Sequence, residues 1–224
     1  MRMIATLESD RDAGPVLALA THGRLRAMLL SGELAGGQVI QERRLAQQLG
    51  LSRTPVRDAL GRLEGEGLII RNGRYLLVAT VSVDEVLEIL SIRRSLEADA
   101  VRGAVGRMAP LRIEAIRAAI LGMSDQLSVN DDDHWANDDL LHLSIAEHSG
   151  NRLLARLIRD LRQRTRMFGL RRIPSRFENG KREHVAILDA LEAGKADEAA
   201  FMMQTHIDHA SEAIIANLTG KART

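Results

Sequence analysis

The chain contains no cysteine among its 224 residues. Disulfides, thiol nucleophiles and Cys-ligated metals are thereby excluded, and the composition suits a reducing cytoplasm. Aromatic residues are almost as scarce: Tyr75, Trp135, Phe168, Phe177 and Phe201 make up 2% of the chain. The sequence is instead rich in Ala, Leu and Arg, which favours helices over a β-sandwich or barrel. No apolar run approaches eighteen residues, so neither a transmembrane helix nor a membrane partner is expected. Met1 to Asp12 carries acids and has no apolar h-region, unlike a secretory signal. What is there suffices for a folded core: 45% of residues are apolar and 27% charged. The net charge of +1 does not by itself indicate a nucleic-acid partner.

The distribution of charge says more than its sum. Residues 14–79 hold nine Arg or Lys against five Asp or Glu, whereas residues 80–224 hold twenty against twenty-two. A basic front and a mildly acidic rear predict two units with different tasks. We expect a tail over 1–13, a first unit over 14–79 and an all-helical unit over 80–224.

In the front unit, Pro15 to Leu30 reads as a helix with Leu25, Met28 and Leu29 at helical spacing. Gln38 to Ile40 suits a short strand, and Gln41 to Leu49 a short helix ended by Gly50. Ser52 suits the N-cap of the next helix, which tolerates Pro55 in its first turn and turns Leu60 and Leu63 inward. Two β-prone runs, Leu68 to Ile70 and Tyr75 to Val78, flank Asn72-Gly73 as in a hairpin. Two helices on a tight glycine turn followed by a hairpin make a winged helix-turn-helix. Its second helix enters the major groove N-terminus first, which brings Ser52, Arg53, Thr54 and Arg57 to the bases and phosphates of double-stranded DNA. Arg43 and Arg44, starting the preceding helix, lie within reach of the backbone or a base. Arg71, Asn72, Gly73 and Arg74 form the wing tip, near the minor groove. The competing reading is a helix pair with a solvated charged face.

The run LSRTPVRDALGRLEGEGL, Leu51 to Leu68, resembles the signature of the GntR family of bacterial transcription regulators. The resemblance implies DNA contacts from Arg43, Arg53 and Arg57 and from the wing. The wing itself, Arg71-Asn-Gly-Arg-Tyr75, departs from the Gly-Arg-Gly type of tip frequent in that family.

The rear unit reads as six helices on short connections: Asp84–Met108, Leu111–Val129, Trp135–Ser149, Asn151–Leu170, Ser175–Ala193 and Ala196–Leu218, with Asn130–Asp133 as a loop and N-cap. The fold class expected is therefore mainly α, a winged helix-turn-helix followed by an antiparallel helical bundle. Asp138 and His142, four residues apart, share a helix side with Leu141 and Ile145. His184 shares its side with Ile187, Leu188 and Leu191, and His206 with Ala199, Met203, Ala210 and Ala213. Four ionisable groups thus lie on the apolar stripes of three helices, where an unpaired carboxylate is costly. A divalent cation such as Zn²⁺, Ni²⁺ or Mn²⁺ resolves the conflict; ordinary hydrogen-bonded core histidines and a local Asp–His pair are the alternatives. His22, His134, His148 and His209 are assigned no site role.

The pattern Asp138-x-x-Leu-His142, Gly150-Asn151, Glu183-His184 and Met203-x-x-His206 is similar to the FadR-type C-terminal ligand-binding (FCD) domain. That resemblance implies a metal in the bundle centre, a small organic-acid or sugar-acid effector completing its coordination, and a homodimer. Leu141 stands where the family usually has Phe. Arg93, Leu96 and Glu97 resemble the family's Arg-x-x-Leu-Glu motif, and Arg93 either clamps the effector carboxylate or pairs with Glu97. The expected activity is a metabolite-responsive regulator, a repressor of a palindromic operator, and no enzyme. The rivals are a metal-dependent hydrolase-like bundle fused to a DNA reader and an architectural DNA-binding protein without effector.

Overall fold

The computed structural model describes residues 5–122, 131–168 and 174–219. The chain divides into two compact units, Met1–Thr80 and Val81–Thr224.

The first unit runs α1 (Ala5–Leu30), β1 (Val39–Ile40), α2 (Glu42–Leu49), α3 (Arg53–Gly65), β2 (Ile69–Asn72) and β3 (Tyr75–Val78). Helix α1 starts ten residues before the expected Pro15. Its inner residues Leu25, Met28 and Leu29 are buried, as are Val56, Ala59, Leu60 and Leu63 of α3. Gly50 caps α2 in the left-handed region at φ +68°, donating to the carbonyls of Ala46 and Gln47. That conformation is accessible to glycine at little cost and makes the tight turn between α2 and α3. The three strands form an antiparallel sheet in the order β1-β3-β2.

The hairpin corrects one detail. Asn72 pairs with Tyr75 in the ladder, so the two-residue turn is Gly73-Arg74 rather than Asn72-Gly73. Gly73 has φ +58°, and a glycine first in a two-residue turn is the arrangement of a type II′ hairpin. Arg74, not Asn72, therefore stands at the tip.

The second unit comprises α4 (Val83–Ala104), α5 (Pro110–Leu121), α6 (Asp131–His148), α7 (Arg152–Met167), α8 (Pro174–Glu192) and α9 (Ala196–Leu218). Its core is a continuous cluster in which Val101, Ile116, Leu141, Ile158, Ile187, Leu188 and Met203 are fully enclosed. Ser82 caps α4, its hydroxyl accepting from the Glu85 amide at 3.1 Å. Asn151 caps α7, accepting from Leu153 and Leu154 at 3.1 Å. Several bounds differ from expectation. Helix α4 stops at Ala104, four residues before Met108, where Val105 takes an extended backbone and Gly106 a positive φ. Helix α5 ends at Leu121, capped by Gly122, and the expected continuation over 123–129 lies outside the described residues. Residues 131–133 are the first turn of α6 rather than a loop and N-cap ahead of it, since acids favour the positive end of the helix dipole; Asn130 lies outside the described residues. Among the described residues no helix is long and apolar enough to cross a membrane.

Candidate functional site

Helices α6, α8 and α9 bring Asp138, His142, His184 and His206 together. One ligand atom from each lies within 4.8 Å of all the others. The Nε2 atoms of His184 and His206 are 3.2 Å apart, and His184 Nε2 is 3.3 Å from Asp138 Oδ1. His142 Nε2 lies 3.8 Å from the same oxygen. Four donors about 2.0–2.1 Å from one cation stand about 3.3 Å from each other in a tetrahedron. The observed separations suit that arrangement with little movement. The three histidines are buried and Asp138 is largely enclosed.

The donor set passes a chemical test of fit. The Nδ1 of His142 hydrogen-bonds to Glu97 Oε2. A carboxylate only accepts, so Nδ1 carries the proton and Nε2 keeps a lone pair. That Nε2 is buried and has no hydrogen-bond partner. His206 repeats the scheme, with Nδ1 2.8 Å from Glu183 Oε2. A carboxylate behind an imidazole is how metal-bound histidines are oriented and made more basic. His184 is pushed well below the ordinary histidine range, by burial first and by His206 beside it, and so stays neutral. Burial opposes ionisation of Asp138, but Arg162 and the three imidazoles outweigh it and hold the carboxyl well below its usual range. The Asp138 carboxylate, the neutral imidazole of His184 and the Nε2 atoms of His142 and His206 converge as a nitrogen and oxygen donor set that a divalent cation fits.

A ring of charged partners surrounds these four. Arg162 is buried on α7; its Nη2 donates to Asp138 Oδ2 at 2.5 Å and its Nε to Asp139 Oδ1 at 2.8 Å. Its remaining nitrogen, Nη1, is buried without a partner. Arg93 on α4 donates through Nε to Glu97 at 2.7 Å and through Nη1 to Thr165 at 3.3 Å. The ion pair between Arg93 and Glu97 is thus made, while Nη2 of Arg93 bonds to no described residue. Burial disfavours the charged Glu97, yet Arg93, His142 and Arg162 keep it ionised, far below the usual carboxylate range. Sequence reasoning missed Arg162 altogether. Its signal was present, since Ala155, Ile158, Arg162 and Thr165 share the inner stripe of α7. The partnership of Glu183 with His206 carried no such signal, because two different helices meet there. His209, left without a role, is exposed and also lies 2.8 Å from Glu183, through Nδ1.

In the first unit the residues singled out for DNA lie on exposed surface: Arg43, Arg44, Ser52, Arg53, Thr54, Arg57, Asn72, Gly73 and Arg74. Ser52 occupies the N-cap position of α3, but its hydroxyl makes no cap hydrogen bond. Arg53 and Arg57 both donate to Glu42 at the start of α2. Arg71 is bound bidentately by Glu64, at 2.8 and 2.9 Å, so it stands at the base of the wing rather than free at its tip. Arg74 folds over the Tyr75 ring, 5.0 Å from its centroid.

Comparison with known proteins agrees with both units. Residues 17–75 match the model of the gntR family of bacterial regulatory proteins, and residues 88–209 match that of the FCD domain. The chain is 31% identical over 211 residues to the "Putative L-lactate dehydrogenase operon regulatory protein" of Escherichia coli (strain K12), covering 82% of this chain and 81% of that one. It is 28% identical over 194 residues to the Nta operon transcriptional regulator of Aminobacter aminovorans, covering 86% and 92%. Among solved structures, E. coli McbR/YncC superposes with a TM-score of 0.74 at 24% identity, over 92% of this chain and 99% of that one. These relatives are regulators, not enzymes. The chain belongs to the GntR family of bacterial transcription regulators, with an FCD domain following its DNA-binding domain.

Proposed function

We propose that the chain is a metabolite-responsive regulator of the FadR type, in which Asp138, His142, His184 and His206 hold a divalent cation. The carrying observation is the convergence of four lone-pair donors, three of them on buried histidines, within 4.8 Å. When bound, the cation supplies a Lewis-acidic anchor for an anion. Arg162 supports an anionic effector, since its buried Nη1 is a cationic donor lacking an acceptor. Arg93 supports it too, with Nη2 still available while its other nitrogens serve Glu97 and Thr165. The relative named for an L-lactate dehydrogenase operon is in keeping with a small hydroxy acid or sugar acid as that effector.

The front unit then reads a palindromic operator as a homodimer, with α3 in the major groove and Ser52, Arg53, Thr54 and Arg57 at its leading end. Arg43 and Arg44 contact the flanking backbone, and the Gly73-Arg74 tip and Asn72 approach the minor groove. The effector changes operator affinity through its unequal affinity for two arrangements of the helical unit. The test joins two measurements on the purified full chain. Elemental analysis is expected to find about one divalent metal per chain, lost on Asp138→Ala. A thermal-shift screen of small carboxylic acids is expected to raise the melting temperature of the metal-loaded protein alone. A chain that carries no metal after growth and dialysis in each of zinc, nickel and manganese overturns the reading.

A further inference from the structure

Glu42 stands at the first position of α2, where the helix dipole favours an acid. Its side chain does not cap that helix but reaches across to α3. Oε1 accepts from Arg53 Nε at 2.8 Å and from Arg57 Nη2 at 3.0 Å, while Oε2 accepts from Arg57 Nε at 3.1 Å. Arg53 and Arg57 are four apart on α3 and so share one face. Their side chains are 60% and 63% exposed, whereas that of Glu42 is 21% exposed. One half-enclosed carboxylate therefore grips two outward-facing arginines.

The two grips are unequal. Arg57 is held through both Nε and Nη2, the fork that arginine otherwise offers to a phosphate or a carboxylate. Arg53 is held only through Nε, so Nη1 and Nη2 bond to no described residue. Those two nitrogens form the end-on fork that matches O6 and N7 of guanine. The carboxylate also cancels one of the two positive charges, which lessens attraction to any phosphate regardless of sequence.

We propose that Glu42 is a specificity-determining residue: it presents the end of Arg53 to a base edge and withholds the fork of Arg57 from the phosphate backbone. The proposal rests on the assignment of α3 as the helix that enters the major groove. Glu42 touches no DNA in this scheme and acts as a positioning residue through the two arginines. Its carboxyl is held below the usual carboxylate range, first by the hydrogen bond from Arg57, so the grip persists across the neutral range.

The test uses the full chain and two probes: a duplex enriched from a random-sequence pool by the wild-type protein, and an unselected random duplex of equal length. Glu42→Gln keeps the shape and removes the charge. It is expected to tighten binding to the random duplex, to steepen its salt dependence by about one, and to lower the ratio of selected to random affinity by about tenfold. Glu64→Gln is the control, because it frees Arg71 from an equivalent carboxylate without touching Arg53 or Arg57. It is expected to tighten the random duplex while leaving the ratio within about twofold. An unchanged ratio in Glu42→Gln, an equal weakening on both duplexes, or an equal loss of ratio in Glu64→Gln overturns the proposal. If the wild-type chain enriches no sequence from the pool, the assignment of α3 itself fails, and the proposal with it.

Discussion

The Nε2 atoms of His184 and His206 face one another at 3.2 Å with both rings buried. Glu183 holds the proton of His206 on Nδ1, and burial keeps His184 neutral, so lone pair meets lone pair unless a cation or a proton lies between. A metal at a hundred times its dissociation constant would stabilise the fold by about 2.7 kcal/mol. For a chain of this length that corresponds to a rise of about 5–10 °C in melting temperature. Chelation is therefore expected to lower the melting temperature of the wild type by that amount and to leave His184→Ala unmoved. An equal melting point with and without chelator shows instead that the histidines are merely core.

The metal-free protein should lose stability on mild acidification. His184 has a folded pKa below its unfolded value, near 6.5. The unfolded chain then binds the extra proton in the window beneath 6.5, and stability falls with pH until the folded pKa is reached. Asp138 and Glu97 act in the same direction at lower pH, since their folded values lie below those of free carboxyls. Melting curves in chelator at pH 7.5 and 5.5 are expected to differ by several degrees in the wild type, and by less in His184→Gln. Equal slopes in the two proteins would remove His184 as the cause.

Arg162 bridges Asp138 and Asp139, with a bond of 2.5 Å to the first and 2.8 Å to the second. Arg162→Met leaves two carboxylates without that partner, one of them buried, at a cost of about 3–5 kcal/mol. The same change loosens the orientation of Asp138, and loss of such support commonly lowers metal affinity about 10–100-fold. Denaturant titration and metal competition are expected to show both effects. A loss of stability with unaltered metal affinity would confine Arg162 to a structural role.

On the front unit, the two exposed arginine types should separate. Arg53 presents a free fork at the leading end of α3, whereas Arg74 lies against Tyr75 at the wing tip. Arg53→Ala is expected to cost about 1–3 kcal/mol on a selected duplex and much less on a random one. Arg74→Ala is expected to weaken both alike and to flatten the salt slope by about one. Fluorescence anisotropy across a salt series distinguishes them, and a uniform loss in Arg53→Ala would reassign that residue to phosphate.

Much of this was legible in the sequence because periodicity dictates which side a residue takes. Asp138, His142, His184 and His206 fell on apolar stripes, and the three histidines are buried with Asp138 largely enclosed beside them. The helix-turn-helix was legible because Gly50 and the Ser52–Arg57 run are local signals. Contacts between distant elements were not legible. Nothing local pairs Glu42 with Arg53 and Arg57, Glu183 with His206, or Arg162 with Asp138, since each joins separate helices. The acidic run before Trp135 was legible as a helix N-terminus, but its start was set too late because acids suit both the cap and the first turn. The wing turn was displaced by one residue because Asn72 and Gly73 both suit a tight turn, and only the register with Tyr75 decides.

Gly103 tests how closely the rear helices approach. It lies within α4, where alanine would ordinarily be favoured by about 1 kcal/mol. Here a Cβ would sit 2.4 Å from the Ser149 carbonyl oxygen, at the end of α6, and 3.2 Å from two further backbone atoms of that residue. Backbone cannot yield as a flexible side chain does, and the same carbonyl already accepts from Arg107. Overpacking of this kind costs about 1–3 kcal/mol, more than the propensity gain. Gly103→Ala is therefore expected to lower the melting temperature by several degrees and to leave the metal content at its wild-type level, because neither Gly103 nor Ser149 supplies a ligand of the donor cluster. A variant as stable as the wild type, measured by the same melting curves, would mean that α4 and the end of α6 stand further apart than 2.4 Å from that Cβ implies.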